Sequence, residues 1–364
     1  MNVGIVTFHC SYNFGSALQT YALKCLIEKE GHGASVIDYR GQDFAQYKVI
    51  RTGSIAELAS SLLFYRKNKR RMTAFERFQQ ERLNLTVNRF THDNEKELAV
   101  LCDQFDCFVC GSDQIWNLDC TDGPVAPFFL SFAGDKRRIA YAPSLAHTSF
   151  RAENFTESDK KFIGGELDRF FALSVRESAT VSLFQPLTRN TIEVCLDPTL
   201  LLDAEDYKEI TNEAIVPEEK YVFVYMLEHN DELNRQAEHV ARGLNAGIYY
   251  VSKWDQRFCV DAKNCYGIGP EEFLGLLKNA SAVVTNSFHA TVFSLLFGVP
   301  FQTIATRQSG SRMQELLDNL GESQHLIMGE SSELPTAADR ESLRSALGGL
   351  RHASMAFLHN ALRS

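Results

Sequence analysis

The residues best suited to chemistry lie in a polar break between two apolar stretches. Residues 282–294 read AVVTNSFHATVFS, a short apolar run followed by polar residues and then by apolar residues at helical spacing. This pattern predicts a buried strand, a tight turn and the first turns of a helix. The amino end of a helix carries unpaired N–H groups and a partial positive charge, so the turn suits an anionic ligand.

His289 lies within this break and is the first candidate for catalysis. An imidazole titrates near neutral pH, so it can give or take a proton in the cell. Asn286, Ser287 and Thr291 are its hydrogen-bonding neighbours and are candidates for binding substrate. The alternative is a histidine buried in the core, but the position after polar residues at a strand–helix junction favours a functional role.

A second polar group follows another apolar run of strand type. Residues 105–110 are apolar except for one aspartate, and Ser112, Asp113 and Gln114 come directly afterwards. Polar residues after the carboxyl end of a strand lie where open α/β sheets bind ligands. Asp113 is a candidate general base or hydroxyl acceptor, and the alternative is a cap of the turn that follows.

The loop after the first predicted strand contains Asn13 and Gly15. Both residue types adopt backbone angles that others avoid, so the loop can turn sharply and bring its amides near a ligand. An ordinary strand-to-helix turn with Ser16 as the N-cap is an equal alternative.

Two arginines are candidates for holding an anion. Arg176 follows an apolar run, where it could grip a carboxylate or phosphate with two hydrogen bonds, or form a structural bridge with Glu177 or Asp197. Arg312 lies near the start of a predicted helix that Ser311 would cap, and it faces either the ligand crevice or solvent.

A basic run, RKNKRR, spans Arg66 to Arg71. Such a run usually marks a solvated helix face. The second interpretation is a peripheral contact with an anionic membrane surface or with a lipid-diphosphate acceptor.

The elements that must position these residues alternate between strand and helix. Residues 3–8, 16–30 and 34–39 form a βαβ unit, and its repetition predicts a parallel sheet. A second α/β series begins after the polar segment that ends at Lys220. We therefore predict an α/β protein with two Rossmann-like parallel-sheet domains facing a cleft, where a ligand would bind.

The predicted domains are an N-terminal α/β domain over 1–203 and a C-terminal α/β domain over 204–330. A C-terminal helical segment, 331–364, is expected to pack back on the N-terminal domain.

Composition limits the number of domains and the classes of partner that we expect. The 364 residues fit two domains, and the net charge of −9 argues against nucleic acid as a partner. No signal peptide and no apolar run of ~18 residues is visible.

The nine scattered cysteines indicate free thiols in a reducing compartment, so we expect a cytoplasmic protein. The C-x-x-C pair at 107–110 favours strand packing over a zinc or redox role.

The sequence also lacks a P-loop, an H-E-x-x-H motif and a G-x-S-x-G motif. It shows no cluster of metal-ligating residues, so no metal is expected.

Five stretches taken together resemble the polysaccharide pyruvyl transferase family over nearly the whole chain. They are NFGSALQTYAL at 13–23, GSDQIWN at 111–117, SVRE at 174–177, LDPTLL at 196–201 and TNSFHAT at 285–291. The combination is specific, whereas any one motif alone would not be. The resemblance implies a fold similar to two-domain GT-B glycosyltransferases, with the acceptor bound on the N-terminal side and the donor on the C-terminal side.

The resemblance also implies the reaction. The pyruvyl group of phosphoenolpyruvate would be transferred to two hydroxyls of a sugar, giving a pyruvate ketal and phosphate. The acceptor would be a cell-surface glycan or a lipid-linked oligosaccharide precursor, which can bring the enzyme to the inner face of the membrane. Phosphoenolpyruvate is then a donor substrate, and no cofactor is expected.

Carried over by position, His289 matches the family's donor-site histidine, and Arg176 matches an arginine expected to hold the donor's phosphate or carboxylate. Asn13, Gly15 and Asp113 match positions of the N-terminal domain that face the cleft.

Better-studied members tend to have an arginine two residues before the histidine, where this chain has Ser287. Arg176, Arg307 or Arg312 would have to supply the missing cation. Two alternatives stay open: a GT-B glycosyltransferase that uses a nucleotide sugar, and a non-catalytic glycan-binding relative.

Overall fold

The computed structural model describes residues 1–41, 49–51, 53–146, 155–253, 255–305, 310–329 and 331–363. The chain divides into two compact units. Unit 1 comprises Met1–Tyr47, Glu76–Leu202 and Leu350–Ser364, and unit 2 comprises Lys48–Phe75 and Asp203–Gly349.

Unit 1 is built on a parallel sheet, as the alternation of strand and helix patterns predicts. Its described strands are β1 (Asn2–Val6), β2 (Gly33–Tyr39), β3 (Leu85–Phe90), β4 (Cys107–Gly111), β5 (Arg137–Tyr141), β6 (Ala172–Val175) and β7 (Glu193–Val194). They lie in the order β3-β2-β1-β4-β5-β6-β7, and every pairing is parallel.

Unit 2 repeats this plan. Its described strands are β8 (Tyr221–Tyr225), β9 (Gly247–Val251), β10 (Ala262–Asn264), β11 (Ala282–Thr285), β12 (Phe301–Ile304) and β13 (Leu326–Ile327). They lie in the order β10-β9-β8-β11-β12-β13, again parallel throughout. The predicted pair of parallel-sheet α/β domains is confirmed.

Helices connect the strands. They are α1 (Phe14–Lys29), α2 (Ile55–Leu63), α3 (Tyr65–Arg82), α4 (Leu118–Thr121), α5 (Glu157–Leu167), α6 (Ser178–Phe184), α7 (Asp231–Leu244), α8 (Pro270–Lys278), α9 (Phe288–Phe297), α10 (Gly310–Leu320) and α11 (Arg340–Arg363). In the described ranges none of them is both long and apolar enough to cross a lipid bilayer.

The central strands are fully buried, because helices cover both faces of a parallel sheet. In β4, Cys107 and Cys110 are free buried thiols, and burial raises the pKa of Cys107 to about 12. The strand-packing interpretation of the C-x-x-C spacing is therefore confirmed. A side chain at Gly4 in β1 would meet the Phe108 ring at 2.9 Å, so glycine is what allows the two strands to pair under that ring.

Two segments differ from the predicted domain boundaries. Lys48–Phe75 belongs to unit 2, although we predicted residues 1–203 as one domain. One reason is Arg71, whose guanidinium lies over the rings of Phe75 and Tyr266 and donates to the Tyr266 carbonyl at 3.3 Å. Such a contact joins residues far apart in sequence, so local patterns do not reveal it.

The C-terminal segment is divided between the units. Leu350–Ser364, the end of α11, belongs to unit 1, while the residues before it belong to unit 2. Arg351 donates to the carbonyls of Leu200 and Leu202 at 2.6 and 3.0 Å, and His359 lies 2.6 Å from Glu30. These bonds tie the last helix to unit 1.

Candidate functional site

The two sheets each change direction at an equivalent place. In unit 1, β1 lies between β2 and β4, so successive strands are added first on one side of β1 and then on the other. In unit 2, β8 lies between β9 and β11 in the same way. Loops that leave such a switch point diverge and open a crevice, which is where open α/β sheets bind ligands. Most of the predicted site residues lie at these two edges.

The edge of unit 2 has the predicted strand, turn and helix. β11 ends at Thr285 and α9 begins at Phe288, with Ser287 as its N-cap. The Ser287 hydroxyl accepts from the Ala290 N–H at 3.4 Å, and the Ser287 N–H donates to the Thr285 hydroxyl at 3.0 Å. A short polar side chain at this position satisfies one of the free amides of the helix.

His289 lies in the first turn of α9, at the helix amino end. Its side chain is mostly buried, and its ring contacts the Phe288 ring with centroids 5.2 Å apart. An imidazole here is held by packing and is close to the positive end of the helix dipole.

Two neighbours of His289 hold the turn in place. The Asn286 side chain accepts from the Leu227 N–H at 2.8 Å and donates to the Glu228 carbonyl at 2.9 Å, which joins the ends of β11 and β8. Thr291 is fully buried, and its hydroxyl lies 2.7 Å from that of Thr303. Both side chains have a positioning role, and their contact with substrate stays a prediction.

Arg312 lies close to this turn. It is buried in α10, and its guanidinium carbon is 5.9 Å from the centroid of the Phe288 ring. Its burial excludes the solvent-facing alternative, and contact with a ligand stays a prediction. Ser311 was expected to cap α10, but the helix begins at Gly310, so the cap prediction is wrong. The Ser311 side chain and Arg307 lie outside the described part of the chain.

The edge of unit 1 is marked by strained backbone. Five residues other than glycine have positive φ in the loops after β1, β4 and β5: Tyr12, Ser112, Asp113, Ala142 and Ala146, with φ of 47°, 38°, 60°, 50° and 67°. Each such residue costs on the order of 1–3 kcal/mol, and this strain concentrates at functional sites. Only Asp113 is of a residue type enriched at left-handed positions, so the sequence offered little signal for the other four.

Asp113 is buried within this strained loop. One carboxylate oxygen accepts from the Ser16 hydroxyl and the other from the Gln114 N–H at 2.8 Å. The helix that follows is capped by Asn117, whereas Asp113 accepts from the first amide of the turn before it, as the turn-cap alternative expected. The carboxylate lies beside the first turn of α1, and the base and hydroxyl-acceptor interpretations stay open.

The Asn13 loop differs from its prediction. Asn13, not Ser16, is the N-cap of α1, and its side chain accepts from the Gly15 and Ser16 N–H groups at 2.8 and 3.4 Å. Asn13 itself has an extended backbone, and the left-handed residue of the loop is Tyr12. The amides expected to face a ligand are therefore used by the cap.

Arg176 is the centre of a buried ionic network. Its guanidinium donates to Asp197 at 2.6 Å and to Glu177 at 3.0 Å. Burial alone would lower the pKa of Arg176, but Glu177 and Asp197 outweigh it and raise the pKa above its ordinary value. The Ser112 hydroxyl also donates to Asp197, at 3.0 Å. The structural-bridge alternative accounts for these contacts, and a contact with the donor stays a prediction.

A second ionic cluster at this edge was missed from the sequence. Asp38 near the end of β2 accepts from His9 at 3.0 Å, from Arg40 at 2.6 Å and from Arg89 at 2.9 Å. Burial would raise the pKa of Asp38, but the hydrogen bonds from His9 and Arg40 lower it well below its usual range. An aspartate inside an apolar strand with a basic residue two positions later was the available signal.

Comparison with known proteins agrees with this description. The sequence model described as polysaccharide pyruvyl transferase matches residues 13–307, which is most of the chain. No curated protein matches the sequence closely enough to count as a relative.

Solved structures resemble the fold at low identity. UDP-GlcNAc 2-epimerase from Neisseria meningitidis bound to UDP-GlcNAc is 12% identical, with 100% of each chain covered and a TM-score of 0.51. UDP-N-acetylglucosamine 2-epimerase from Rickettsia bellii is 11% identical, with 99% of this chain and 96% of that chain covered and a TM-score of 0.48. The glycosyltransferase SnogD from Streptomyces nogalater is 12% identical, with 100% and 97% covered and a TM-score of 0.42. The first of these likenesses supports a GT-B-like fold.

Proposed function

Because the chain belongs to the polysaccharide pyruvyl transferase family and is therefore a transferase, we propose that it takes its pyruvyl group from phosphoenolpyruvate. The acceptor is a sugar of a cell-surface glycan or of its lipid-linked precursor. The products are a pyruvate ketal on two sugar hydroxyls and inorganic phosphate. The observation that supports this proposal most is His289 in the first turn of α9, at the switch point of unit 2.

The chemistry needs one proton donor and one anion site. Protonation of the methylene carbon makes a cation at C2, and a first sugar hydroxyl adds there. The C2–O bond to phosphate then breaks, a second hydroxyl adds, and one of the two hydroxyl protons leaves with phosphate while the other replaces the proton used. His289 is the proposed proton donor, with the magnitude of general acid catalysis at about 10²–10⁴-fold.

The donor is a trianion, so it requires positive charge. The amino end of α9 supplies N–H groups and a partial charge. We propose Arg312 as the full cation that Ser287 does not provide, because its guanidinium lies near Phe288 whereas that of Arg176 is committed to two carboxylates.

The acceptor hydroxyl requires a base. Asp113 is proposed for this role, since its carboxylate lies in a strained loop at the switch point of unit 1 and already accepts from the Ser16 hydroxyl. Strained backbone that presents a carboxylate is a recurring feature of catalytic sites. The reaction is proposed to occur in the cytoplasm, at the inner face of the membrane when the acceptor is lipid-linked.

The experiment is incubation with phosphoenolpyruvate and a panel of free and lipid-linked sugars. Phosphate release and a gain of one pyruvate ketal in the mass of an acceptor are expected. Absence of release with every acceptor, together with turnover of a UDP-sugar, would establish the glycosyltransferase alternative instead.

The role of Arg312 has its own test. Arg312→Gln should raise the KM for phosphoenolpyruvate by about 10–100-fold, the size of one lost charged hydrogen bond, while Arg312→Lys should recover part of it. Arg344→Gln, on the exposed side of α11, is the matched control and should leave the KM unchanged. An unchanged KM in Arg312→Gln would remove Arg312 from the donor site.

A further inference from the structure

The helix α2 exposes large apolar side chains. Ile55 is 90% exposed, Leu58 39%, Leu62 59% and Leu63 75%. Among the described residues, six of the fourteen exposed large hydrophobic side chains lie within residues 50–65. Single exposed apolar residues are normal, but a contiguous group indicates an interaction surface.

A buried serine, Ser61, fixes the orientation of α2. Ser61 is fully buried; its hydroxyl accepts from the Arg51 N–H at 2.9 Å and donates to the Glu57 carbonyl at 2.7 Å. Positions 55, 58 and 62 have helical spacing and form one exposed apolar stripe. The helix therefore directs a serine inward and its leucines and isoleucine outward, the reverse of an ordinary surface helix.

Exposed positive charge follows the apolar stripe directly in sequence, at the start of α3. Arg66, Lys67, Lys69 and Arg70 are all exposed at the start of that helix. Asn68 and Arg71 lie on its inner side, where Asn68 donates to the Val49 carbonyl at 3.2 Å and Arg71 packs on aromatic rings. The basic run of the sequence is thus one buried arginine and four outward cations.

The charge of this region is opposite to that of the chain. Lys67 has Asp255 at 3.5 Å, and Glu57 is paired with Arg51 at 3.7 Å. Within the described part of the chain, three of the four outward cations have no acidic partner at ion-pair distance, whereas the whole chain has a net charge of −9. Exposed aliphatic side chains next to exposed cations are the composition of a helix that lies on an anionic bilayer.

We propose that residues 55–70, the α2–α3 surface, dock on an anionic phospholipid bilayer. The apolar side chains of α2 enter the headgroup region, and the cations of α3 contact lipid phosphates. This inference goes beyond the proposed reaction and does not depend on it.

The positive charge of the α2–α3 surface favours a bilayer over a second copy of the chain as its partner. A symmetric dimer through this surface would bring the two sets of cations together, which is unfavourable. An anionic surface complements them instead.

The test is co-sedimentation of the full chain with vesicles. We expect binding to vesicles of phosphatidylglycerol and phosphatidylcholine, weak binding to phosphatidylcholine alone, and loss of binding as salt is raised. Arg66→Glu with Lys69→Glu should weaken binding by about tenfold or more, and so should Ile55→Gln with Leu62→Gln. Vesicle binding is measured without turnover, so its failure is distinct from failure of the proposed reaction.

Matched controls change the same residue types elsewhere. Lys161→Glu with Arg344→Glu alters exposed cations, and Val87→Gln alters a fully exposed apolar residue; each should bind like the parent. Circular dichroism should show the same fold for every variant. Equal binding of the variants and controls, no preference for anionic lipid, or a dimer that Ile55→Gln with Leu62→Gln dissolves would each overturn the proposal.

Discussion

The carboxyl edges of the two sheets have the same topology but different arrangements of charge. The edge of unit 1 is filled with buried ion pairs, in which Arg176 holds two carboxylates and Asp38 holds three basic groups. The edge of unit 2 is a turn at a helix amino end, with His289 in its first turn and Arg312 nearby. Removing one member of a buried ion pair destabilises a fold, whereas a helix amino end can bind an anion.

We therefore expect the edge of unit 1 to contribute mainly to stability and the edge of unit 2 mainly to chemistry. A substitution in the Arg176 network should therefore change unfolding more than binding, and a substitution at His289 should do the opposite.

His289→Ala should lower kcat by about 10²–10⁴-fold, because the proposed proton donor is lost. The melting temperature should fall only modestly, because the residue lies in the first turn of α9 and alanine is a good helix former. Phosphate release and thermal unfolding measure the two effects. A large fall in melting temperature with kcat preserved would mean that His289 is a structural core residue. The two sheet edges would then not differ in role.

Arg176→Ala should lower the free energy of unfolding by about 3–5 kcal/mol, because it leaves the buried carboxylates of Glu177 and Asp197 without their cation. Urea denaturation is the measurement. Arg169→Ala, whose pair with Glu166 is half exposed, is the matched control and should cost less than about 1 kcal/mol. A stable Arg176→Ala protein with a raised KM for phosphoenolpyruvate would instead favour donor binding.

Asp38→Asn should lower the free energy of unfolding by about 2–3 kcal/mol near pH 7, with a defined pH dependence. The folded-state pKa of Asp38 is below its unfolded value of about 3.9. Its stabilisation is therefore complete above that value and is lost as pH falls toward the folded pKa. Denaturation at pH 5.5, 4.5 and 3.5 should show the gap between parent and variant constant at first and then shrinking. A gap that widens on acidification contradicts this assignment.

Ser287→Ala should cost about 1 kcal/mol, the usual effect of losing an N-cap. Ser287→Asn, which also caps helices, should cost less and serves as the control. Thermal unfolding measures both. Equal stability of all three proteins would mean that the hydroxyl does not cap α9.

Local patterns predicted much of the fold and one edge of the site. The strand, turn and helix around His289 were predicted because apolar spacing changes period within a few residues. The other edge was predicted less well. Asp113 meets the Ser16 hydroxyl only because β4 pairs with β1, and Arg176 meets Asp197 because β6 pairs with β7. Strand order is a non-local property, so no pattern within either motif contains these contacts.

By itself the sequence determined the two α/β series, the strand–turn–helix at His289 and the motifs of the family, all of which are local or ordered along the chain. Tertiary structure decided the rest: that Arg176 is enclosed by carboxylates, that residues 48–75 join unit 2, and that α2 presents its leucines to solvent. The physical reason is that periodicity shows which side chains share a face of a helix. Only packing against distant parts of the chain shows which way that face points.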